Sequence, residues 1–341
     1  MAEGRRVAVW ISPGQTALAR AVADAAGLDL IAAGSPARGQ SQAVAAELGT
    51  SPADDLRAML ASIEADLVWV AAPGLFGGAA GGGDAEAVLA AHARGFTVAT
   101  LEPVPASALD LMSGRWLEGE HGRCPADVVR FLPMPRDGSP FRQAAEVLET
   151  FGHIRSIAVE TWGQPSEGTL GARVFGGLAL IASLMGEPEK IDAAYVAPSH
   201  GTGVHALPGE TLRDLSGDLT ACMRFADGRA AGLAASDRGG RWARTVTLLG
   251  PAGRLRIDDD GFEWIGPDGA RLDEMRLERS ETPPAVRAIA EGLSRLLDPS
   301  APEPPPLDYA TVLSMGQAAL LSARTGEAES PGTIRRMVGA E

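Results

Sequence analysis

The chain has 341 residues, 45% hydrophobic and 22% charged, which is the composition of a folded protein with room for two domains. Its net charge of −14 excludes nucleic acid or an anionic membrane as the main partner, because phosphate-rich surfaces need a basic footprint. Cys124 and Cys222 lie far apart without metal-ligand spacing, so they are interpreted as buried thiols and no metal is expected. With no signal-peptide pattern and no apolar stretch of membrane-spanning length, the expected location is cytoplasmic.

The N-terminal stretch predicts one strand–turn–helix–strand unit. The apolar run 6–10 ends in the turn Ser12-Pro13-Gly14, and apolar residues at helical spacing follow as far as Gly27, a C-cap signal. A second strand is predicted over 28–33. This order is typical of the first unit of a doubly wound, Rossmann-like parallel sheet.

Further alternation of strands and helices predicts that this sheet continues to about residue 120. The runs 66–71 and 96–101 are typical of buried parallel strands, and Ser51 with Pro52 predicts the start of a helix. The glycine-rich segment 74–83 follows one of these strands. It is interpreted either as a lid or phosphate loop or as a surface insertion.

The second half has a different pattern. An amphipathic helix is predicted over 139–151 and a helix that is apolar nearly all round over 170–185. Strand-like runs separated by Asp-Gly turns, between residues 191 and 265, predict a large, mostly antiparallel open sheet. Two helices, 284–297 and 308–324, are expected to end the chain.

Several passages, in their order along the chain, resemble the Gfo/Idh/MocA family of glucose-fructose oxidoreductase and inositol dehydrogenase. They are the opening strand at Arg6, Ala45-Ala-Glu-Leu-Gly49, Asp66-Leu-Val-Trp-Val-Ala-Ala-Pro73, Leu101-Glu-Pro103, Leu184-Met-Gly-Glu-Pro188, Arg224-Phe-Ala-Asp-Gly-Arg229 with Leu248–Leu255, and Ala319–Gly326. The resemblance implies a Rossmann-like dinucleotide-binding domain, 1–122, and a C-terminal α/β substrate and oligomerisation domain, 123–341. The last helix, 308–325, is a candidate to pack back on the first domain.

The family resemblance also implies a function. Its members are NAD(P)-dependent oxidoreductases of sugars and cyclitols, and their C-terminal sheet commonly forms the interface of a homo-oligomer. The positions expected to bind the cofactor are Ser12, Gly14, Ser35, Arg38, Ala72, Pro73 and Glu102.

The glycine fingerprint of such a domain is not preserved. Ile11, Pro13 and Thr16 occupy its three glycine positions, which hinders close approach of a pyrophosphate. Where the family has an acid for the ribose hydroxyl, this chain has Ser35 with Arg38 close by. That pair suits a 2′-phosphate and favours NADP over NAD; a plain polar turn, with no nucleotide bound, is the other interpretation.

The family's proton-transferring side chains are also absent. Its lysine corresponds to Pro103, and its aspartate and histidine correspond to Ala172 and Gly176. Glu102 and His200 are the remaining catalytic candidates; His200 with His205 is read as a general base, a metal ligand pair or solvated loop residues.

Candidates for substrate binding come from the second half of the chain. They are Arg136, Trp162, Arg238, Arg241 and Trp242. The alternative is a charged hairpin with Trp242 in the core. Three hypotheses follow: a family oxidoreductase with a modified site, a catalytically inactive relative that acts as a binding or scaffold module, and a non-redox enzyme of the same fold.

Overall fold

A computed structural model describes residues 5–78, 82–119, 123–198, 207–303 and 305–339. Contacts between residues divide the chain into two units, Met1–Pro133 with Ala285–Tyr309, and Met134–Pro284 with Ala310–Glu341. Residues 123–133 therefore group with the first unit, and the segment 285–309 returns to it, whereas most of the helix predicted over 308–325 groups with the second. None of the described helices combines the length and the apolar character needed to cross a membrane.

The described part of the first unit contains a six-stranded parallel sheet in the order β3-β2-β1-β4-β5-β6. Its strands are β1 (Arg5–Trp10), β2 (Leu28–Gly34), β3 (Ser51–Ala53), β4 (Leu67–Val70), β5 (Thr97–Thr100) and β6 (Val129–Phe131). The helices between them are α1 (Thr16–Ala26), α2 (Ser41–Leu48), α3 (Leu56–Ser62), α4 (Asp84–Ala93), α5 (Ala108–Ser113) and α6 (Pro125–Val128). The strand order reverses between β1 and β4, so the carboxyl end of β1 is the switch point where such sheets bind ligands.

The prediction that a helix starts at Ser51 and Pro52 is wrong. These residues form β3, which pairs with Ala32–Gly34 at the edge of the sheet, where a proline is tolerated. Helix α3 starts at Leu56, and the Asp55 carboxylate caps it by accepting the backbone N–H of Ala58 at 2.8 Å. Asp54 and Asp55 therefore follow the carboxyl end of a strand instead of lying in the first turn of a helix.

The described part of the second unit is built on an eight-stranded sheet in the order β14-β13-β12-β11-β7-β10-β9-β8, antiparallel except for the pair β7–β10. Its strands are β7 (Ser156–Trp162), β8 (Lys190–Val196), β9 (Asp218–Arg224), β10 (Ala230–Ser236), β11 (Ala243–Gly250), β12 (Gly253–Asp258), β13 (Gly261–Ile265) and β14 (Arg271–Arg276). The remaining helices are α7 (Ser139–Gln143), α8 (Ala145–Phe151), α9 (Leu170–Met185), α10 (Pro284–Leu297), α11 (Tyr309–Thr325) and α12 (Pro331–Val338). The predicted fold class, a Rossmann-like sheet plus a large and mostly antiparallel sheet, is confirmed.

Helix α9 packs on the inner face of this second sheet, as its all-round apolar pattern predicts. A Cβ on Gly177 would lie 2.6 Å from Leu233 Cδ1 and 3.6 Å from Val159 Cγ1, so a glycine lets the helix approach the sheet closely. Strand β14 and helix α12 are absent from the prediction, and Cys222, expected to be buried, is exposed on β9. Five of the six side chains of β14 are exposed, which explains why no alternation marks that strand.

The core of the first unit includes the strand ends that form the switch point. Ile11, directly after β1, has no exposed surface and belongs to the same apolar cluster as Val9 and Trp69. Helix α10 adds Ile289 and Leu293 to that cluster. The position of the first fingerprint glycine is therefore part of the hydrophobic core.

Gly34 is expected to be intolerant of a side chain. A Cβ there would lie 2.3 Å from Trp10 Cζ3 and 2.5 Å from the Ala53 carbonyl oxygen, so Gly34→Ala should reduce the free energy of unfolding by about 1–3 kcal/mol. Gly14→Ala is the matched control, because no atom lies within 4 Å of its added Cβ. Urea denaturation of both variants checks this; equal, small effects would contradict it.

Candidate functional site

Backbone hydrogen bonds join three strand ends at the switch point. The Trp10 carbonyl accepts the N–H groups of Ala71 at 2.9 Å and Ala72 at 3.2 Å, and the Ile11 N–H donates to the Gly34 carbonyl at 3.0 Å. The predicted cofactor positions Ser12, Ser35 and Pro73 follow these ends directly. The fold thus places all three at one edge of the parallel sheet.

The turn after β1 is filled by a side chain of the protein. Gln15 is only 5% exposed, and its Oε1 accepts both the Ser12 backbone N–H at 3.0 Å and the Ser12 hydroxyl at 3.1 Å. Its Nε2 donates to the Ala71 carbonyl at 3.5 Å. The side chain therefore ties the turn to the end of β4 and takes up a backbone donor that a phosphate turn would present to its anion.

The other fingerprint positions in this turn are occupied differently. Pro13 is exposed and has no N–H to donate, whereas Gly14 is exposed with open space around it. Thr16, at the third glycine position, is buried, and its hydroxyl donates to a Glu47 carboxylate oxygen of α2 at 2.6 Å. The third position thus joins α1 to α2 rather than bringing α1 close to the sheet through a glycine.

A cleft of about 640 Å³ opens beside this turn, within the first unit. It is lined by the residues that follow β2, β3 and β4: Ser35–Gly39, Ser41, Asp54–Arg57, Pro73, Leu75 and Phe76, with Trp10 at the end of β1. Three predicted cofactor residues, Ser35, Arg38 and Pro73, share this cleft. Its size is within the range of small-molecule sites, roughly 300–1,000 Å³.

The two residues favoured for a 2′-phosphate differ in availability. Ser35 is 5% exposed, and its hydroxyl accepts the Ala37 backbone N–H at 3.3 Å, which shapes the turn after β2. Arg38 is exposed and forms no ion pair within the described part of the chain. Its guanidinium is therefore the cation that this wall offers to a ligand.

Of the other charged residues that line the cleft, Arg57 is already engaged by the protein. The Asp84 carboxylate, 1% exposed, pairs with Arg57 and accepts the Gly77 N–H at 2.7 Å. The hydrogen bond that the Arg57 side chain donates to Asp84 raises the pKa of the Arg57 guanidinium. Asp84 thus holds the start of the glycine-rich loop against α4, and of the lining residues only Asp54 remains an exposed carboxylate with no side-chain cap to make.

The catalytic candidates lie in unlike surroundings. Glu102 is 8% exposed just beyond β5, followed by the buried Pro103, and His200 lies outside the described residues. Ala172 and Gly176 are buried within α9. In the part of the chain that the structure describes, no group of three or more His, Cys, Asp or Glu side chains is placed to hold a metal ion.

The proposed substrate residues of the second unit surround the carboxyl ends of β7 and β10. Trp242 is packed, 8% exposed, with the guanidinium groups of Arg173 and Arg244 each about 5 Å from its ring. Arg244 pairs with Asp259 at 2.7 Å, and Arg173 donates to the Trp162 carbonyl at 3.0 Å. Trp242 therefore matches the packed alternative.

The other substrate candidates keep more accessible positions. Trp162 ends β7 half-buried, whereas Arg238 and Arg241 are exposed in the turn that precedes β11. Arg238 lies 3.7 Å from Asp237, a carboxylate with no exposed surface. Arg136 lies in a short turn that packs against α9. Their roles remain predictions.

Sequence reasoning missed Gln15, Trp10, Asp54 and Arg57. Asp54 and Arg57 follow β3, which the sequence pattern predicts as a helix start. A correct assignment of this strand would have placed both residues at the carboxyl edge of the sheet. Nothing in the sequence distinguishes Gln15 from any other polar turn residue. Its role depends on the carbonyl of Ala71, which is 56 residues away in the chain.

Comparisons with known proteins support the fold. No protein-family model matches this sequence, and no curated protein matches it in sequence. Among solved structures, myo-inositol 2-dehydrogenase from Lactobacillus plantarum is 16% identical with a TM-score of 0.66, over 96% of this chain and 99% of that one. GenD2 from gentamicin A biosynthesis, solved in complex with NAD, is 18% identical with a TM-score of 0.64 over 97% of each chain.

A third similar structure is UDP-N-acetylglucosamine 3-dehydrogenase GnnA from Acidithiobacillus ferrooxidans. It is 18% identical with a TM-score of 0.64, over 94% of this chain and 97% of that one. At such identities the shared feature is the fold. The resemblance to Gfo/Idh/MocA dehydrogenases is confirmed at that level.

Gln15 is expected to stabilise the turn measurably. Gln15→Ala removes an acceptor shared by the Ser12 N–H and hydroxyl, and the loss should lower the free energy of unfolding by roughly 1–3 kcal/mol. Gln40→Ala is the control, since Gln40 is exposed and makes no side-chain cap. Chemical denaturation that gives the same midpoint for both variants would contradict the role of Gln15.

Proposed function

We propose that this chain is a divergent member of the Gfo/Idh/MocA family that binds a nicotinamide dinucleotide at the carboxyl edge of its parallel sheet, NADP in preference to NAD. The observation that carries the proposal is the cleft beside the switch point, with the exposed guanidinium of Arg38 on its wall. A 2′-phosphate suits a guanidinium, which binds such oxyanions through paired N–H donors. The NAD bound to the similar protein GenD2 is in accord with a nucleotide at this fold.

By resemblance, the substrate class is a sugar or cyclitol, and the reaction is oxidation of a carbinol to a carbonyl. That oxidation would transfer a hydride to the nicotinamide of the bound dinucleotide and release a proton, and the proton needs an acceptor. Pro103, Ala172 and Gly176 supply none. Among the described candidates, Glu102 is the carboxylate that remains for this role.

A second candidate function is that of a catalytically inactive relative that binds a ligand or scaffolds an assembly. It is favoured by the two positions on α9, because Ala172 and Gly176 are buried residues without any titratable group. Under this proposal the cleft binds a nucleotide without turnover. The two functions share nucleotide binding and differ in hydride transfer.

Removal of the Arg38 guanidinium is expected to weaken NADPH binding by about tenfold or more and to leave NADH binding nearly unchanged. The reason is that only NADPH carries the 2′-phosphate. Calorimetric titration of wild type and Arg38→Ala with both nucleotides measures this. Arg279→Ala, which removes an exposed arginine elsewhere, is the control.

Several outcomes would contradict this proposal. Equal losses for NADPH and NADH would refute the 2′-phosphate role of Arg38. No binding of either nucleotide at millimolar concentration would refute nucleotide binding itself. Saturable NADPH binding without turnover of sugars or cyclitols would favour the inactive relative over the oxidoreductase.

We also propose that the chain forms a homo-oligomer through the outer face of its second sheet. Strands β7, β10, β9 and β8 carry small side chains on the face away from α9, and these are exposed or half-buried: Ala158, Ala194, Thr220, Gly232 and Ala234. The registers place all of them on that one face.

A large charge in the centre of that face should separate the subunits. Thr220→Arg is expected to reduce the mass measured by light scattering to that of one chain, because an unpaired guanidinium would be buried in the interface. Thr150→Arg, on an exposed position of α8, should leave the mass unchanged. A wild-type protein that already has the mass of one chain would exclude the interface.

A further inference from the structure

The turns that follow β2 and β4 are in contact with each other. A Cβ placed on Gly74 would lie 2.6 Å from Pro36 Cβ, and Gly74 has φ +60, a conformation that favours glycine. Strands β2 and β4 flank β1 on either side, so this contact crosses the sheet edge in front of the turn after β1. The surface over the carboxyl end of β1 is thereby bridged by protein.

The turn after β1 is not part of the lining of the cleft. The cleft is lined by residues after β2, β3 and β4 and by Trp10, and no residue of the Ser12–Gln15 turn lines it among those described. In a dinucleotide site that turn holds the pyrophosphate, which links the adenosine half to the nicotinamide half. In this chain the turn that would hold that link does not border the cleft that contains Arg38.

The turn itself is unsuited to a pyrophosphate for a second, independent reason. Its Ser12 N–H already donates to Gln15 Oε1, and the Gln15 N–H donates to the Ser12 carbonyl at 2.9 Å. Pro13 has no N–H. Two backbone donors of the turn are thus taken by the protein, and a third position has none.

The cleft retains the features that suit an adenosine with a phosphate on its ribose. Arg38 offers an unpaired guanidinium to the phosphate, and Asp54 offers an exposed carboxylate to the amino group of the base. Leu75, 84% exposed at the cleft, offers an apolar surface to the base, with Phe76 behind it.

We infer that the cleft binds the 2′-phosphoadenosine end of its ligand by itself, and that the nicotinamide half contributes nothing to the affinity. This inference rests on the proposed function, since it concerns the same cleft. The ligand class is a 2′-phosphorylated adenosine nucleotide, of which NADP is one member and adenosine 2′,5′-bisphosphate is the smallest useful probe. A cleft that recognises only this end can bind the nucleotide without positioning its nicotinamide for hydride transfer.

Calorimetry with four ligands tests the inference on the full chain: NADPH, NADH, adenosine 2′,5′-bisphosphate and nicotinamide mononucleotide. NADPH and the bisphosphate are expected to bind with dissociation constants within about fivefold of each other, and the mononucleotide not at all at millimolar concentration. Arg38→Ala should weaken NADPH and the bisphosphate by the same factor. Arg279→Ala should affect neither.

The results distinguish failure of this inference from failure of the proposed function. NADPH binding more than about fivefold tighter than the bisphosphate, or measurable binding of the mononucleotide, would overturn the inference and leave nucleotide binding in place. Unequal losses for NADPH and the bisphosphate in Arg38→Ala would also overturn it. If neither NADPH nor the bisphosphate binds, the proposed function fails and takes the inference with it.

Discussion

The hydrogen bonds of the Gln15 amide determine what the switch point of this protein can do. A parallel sheet of this order gathers its ligand at the end of β1, where a glycine turn normally lets phosphates approach the backbone. Here a buried glutamine satisfies the turn from within, and Ile11 fills the space below it as part of the core. The turn is therefore stable without an anion, and a bound phosphate would have to displace hydrogen bonds that already exist.

The charges available around the cleft depend on which charged side chains already have partners in the protein. Asp84 is engaged by Arg57 and by the Gly77 N–H, and Asp55 by the first turn of α3. Arg38 is left with its guanidinium exposed in the cleft, in a protein with a net charge of −14. The negative charge of the whole protein opposes the approach of an anion, so binding of an anionic ligand depends on direct contact with this guanidinium.

The sequence predicted most of the architecture because burial leaves periodic patterns. Helix α9 has the predicted bounds, 170–185, since it is buried on the faces that its apolar residues mark. The edges were harder: Ser51-Pro52-Ala53 has the letters of a helix start but pairs as an edge strand, and the charged β14 shows no alternation. The family resemblance pointed to the carboxyl edge of the parallel sheet, and the corrected position of β3 then completed the cleft.

Contacts between distant residues account for what the sequence could not predict. Nothing local marks Gln15 as a partner of Ala71, Pro36 as a neighbour of Gly74, or Trp242 as the centre of two guanidinium contacts. Each of these depends on strands or helices brought together by the fold, so composition and spacing carry no trace of it. The candidate residues were located by position along the chain, whereas their accessibility was decided by tertiary neighbours.

In the second unit, the start of α9 is held by the contacts of one buried arginine. The Arg173 side chain, from the residue next to Ala172, turns back to the carbonyls of Trp162 and Gln164 and packs on Trp242. A buried guanidinium with carbonyl acceptors is costly to move, because any displacement leaves a desolvated charge without partners. The start of α9 is thus a rigid structural joint built around a permanent cation, and a permanent cation does not accept a proton. Side chains at two distant positions, Gln15 in the first unit and Arg173 in the second, are thus each held in place by hydrogen bonds to the protein's own backbone.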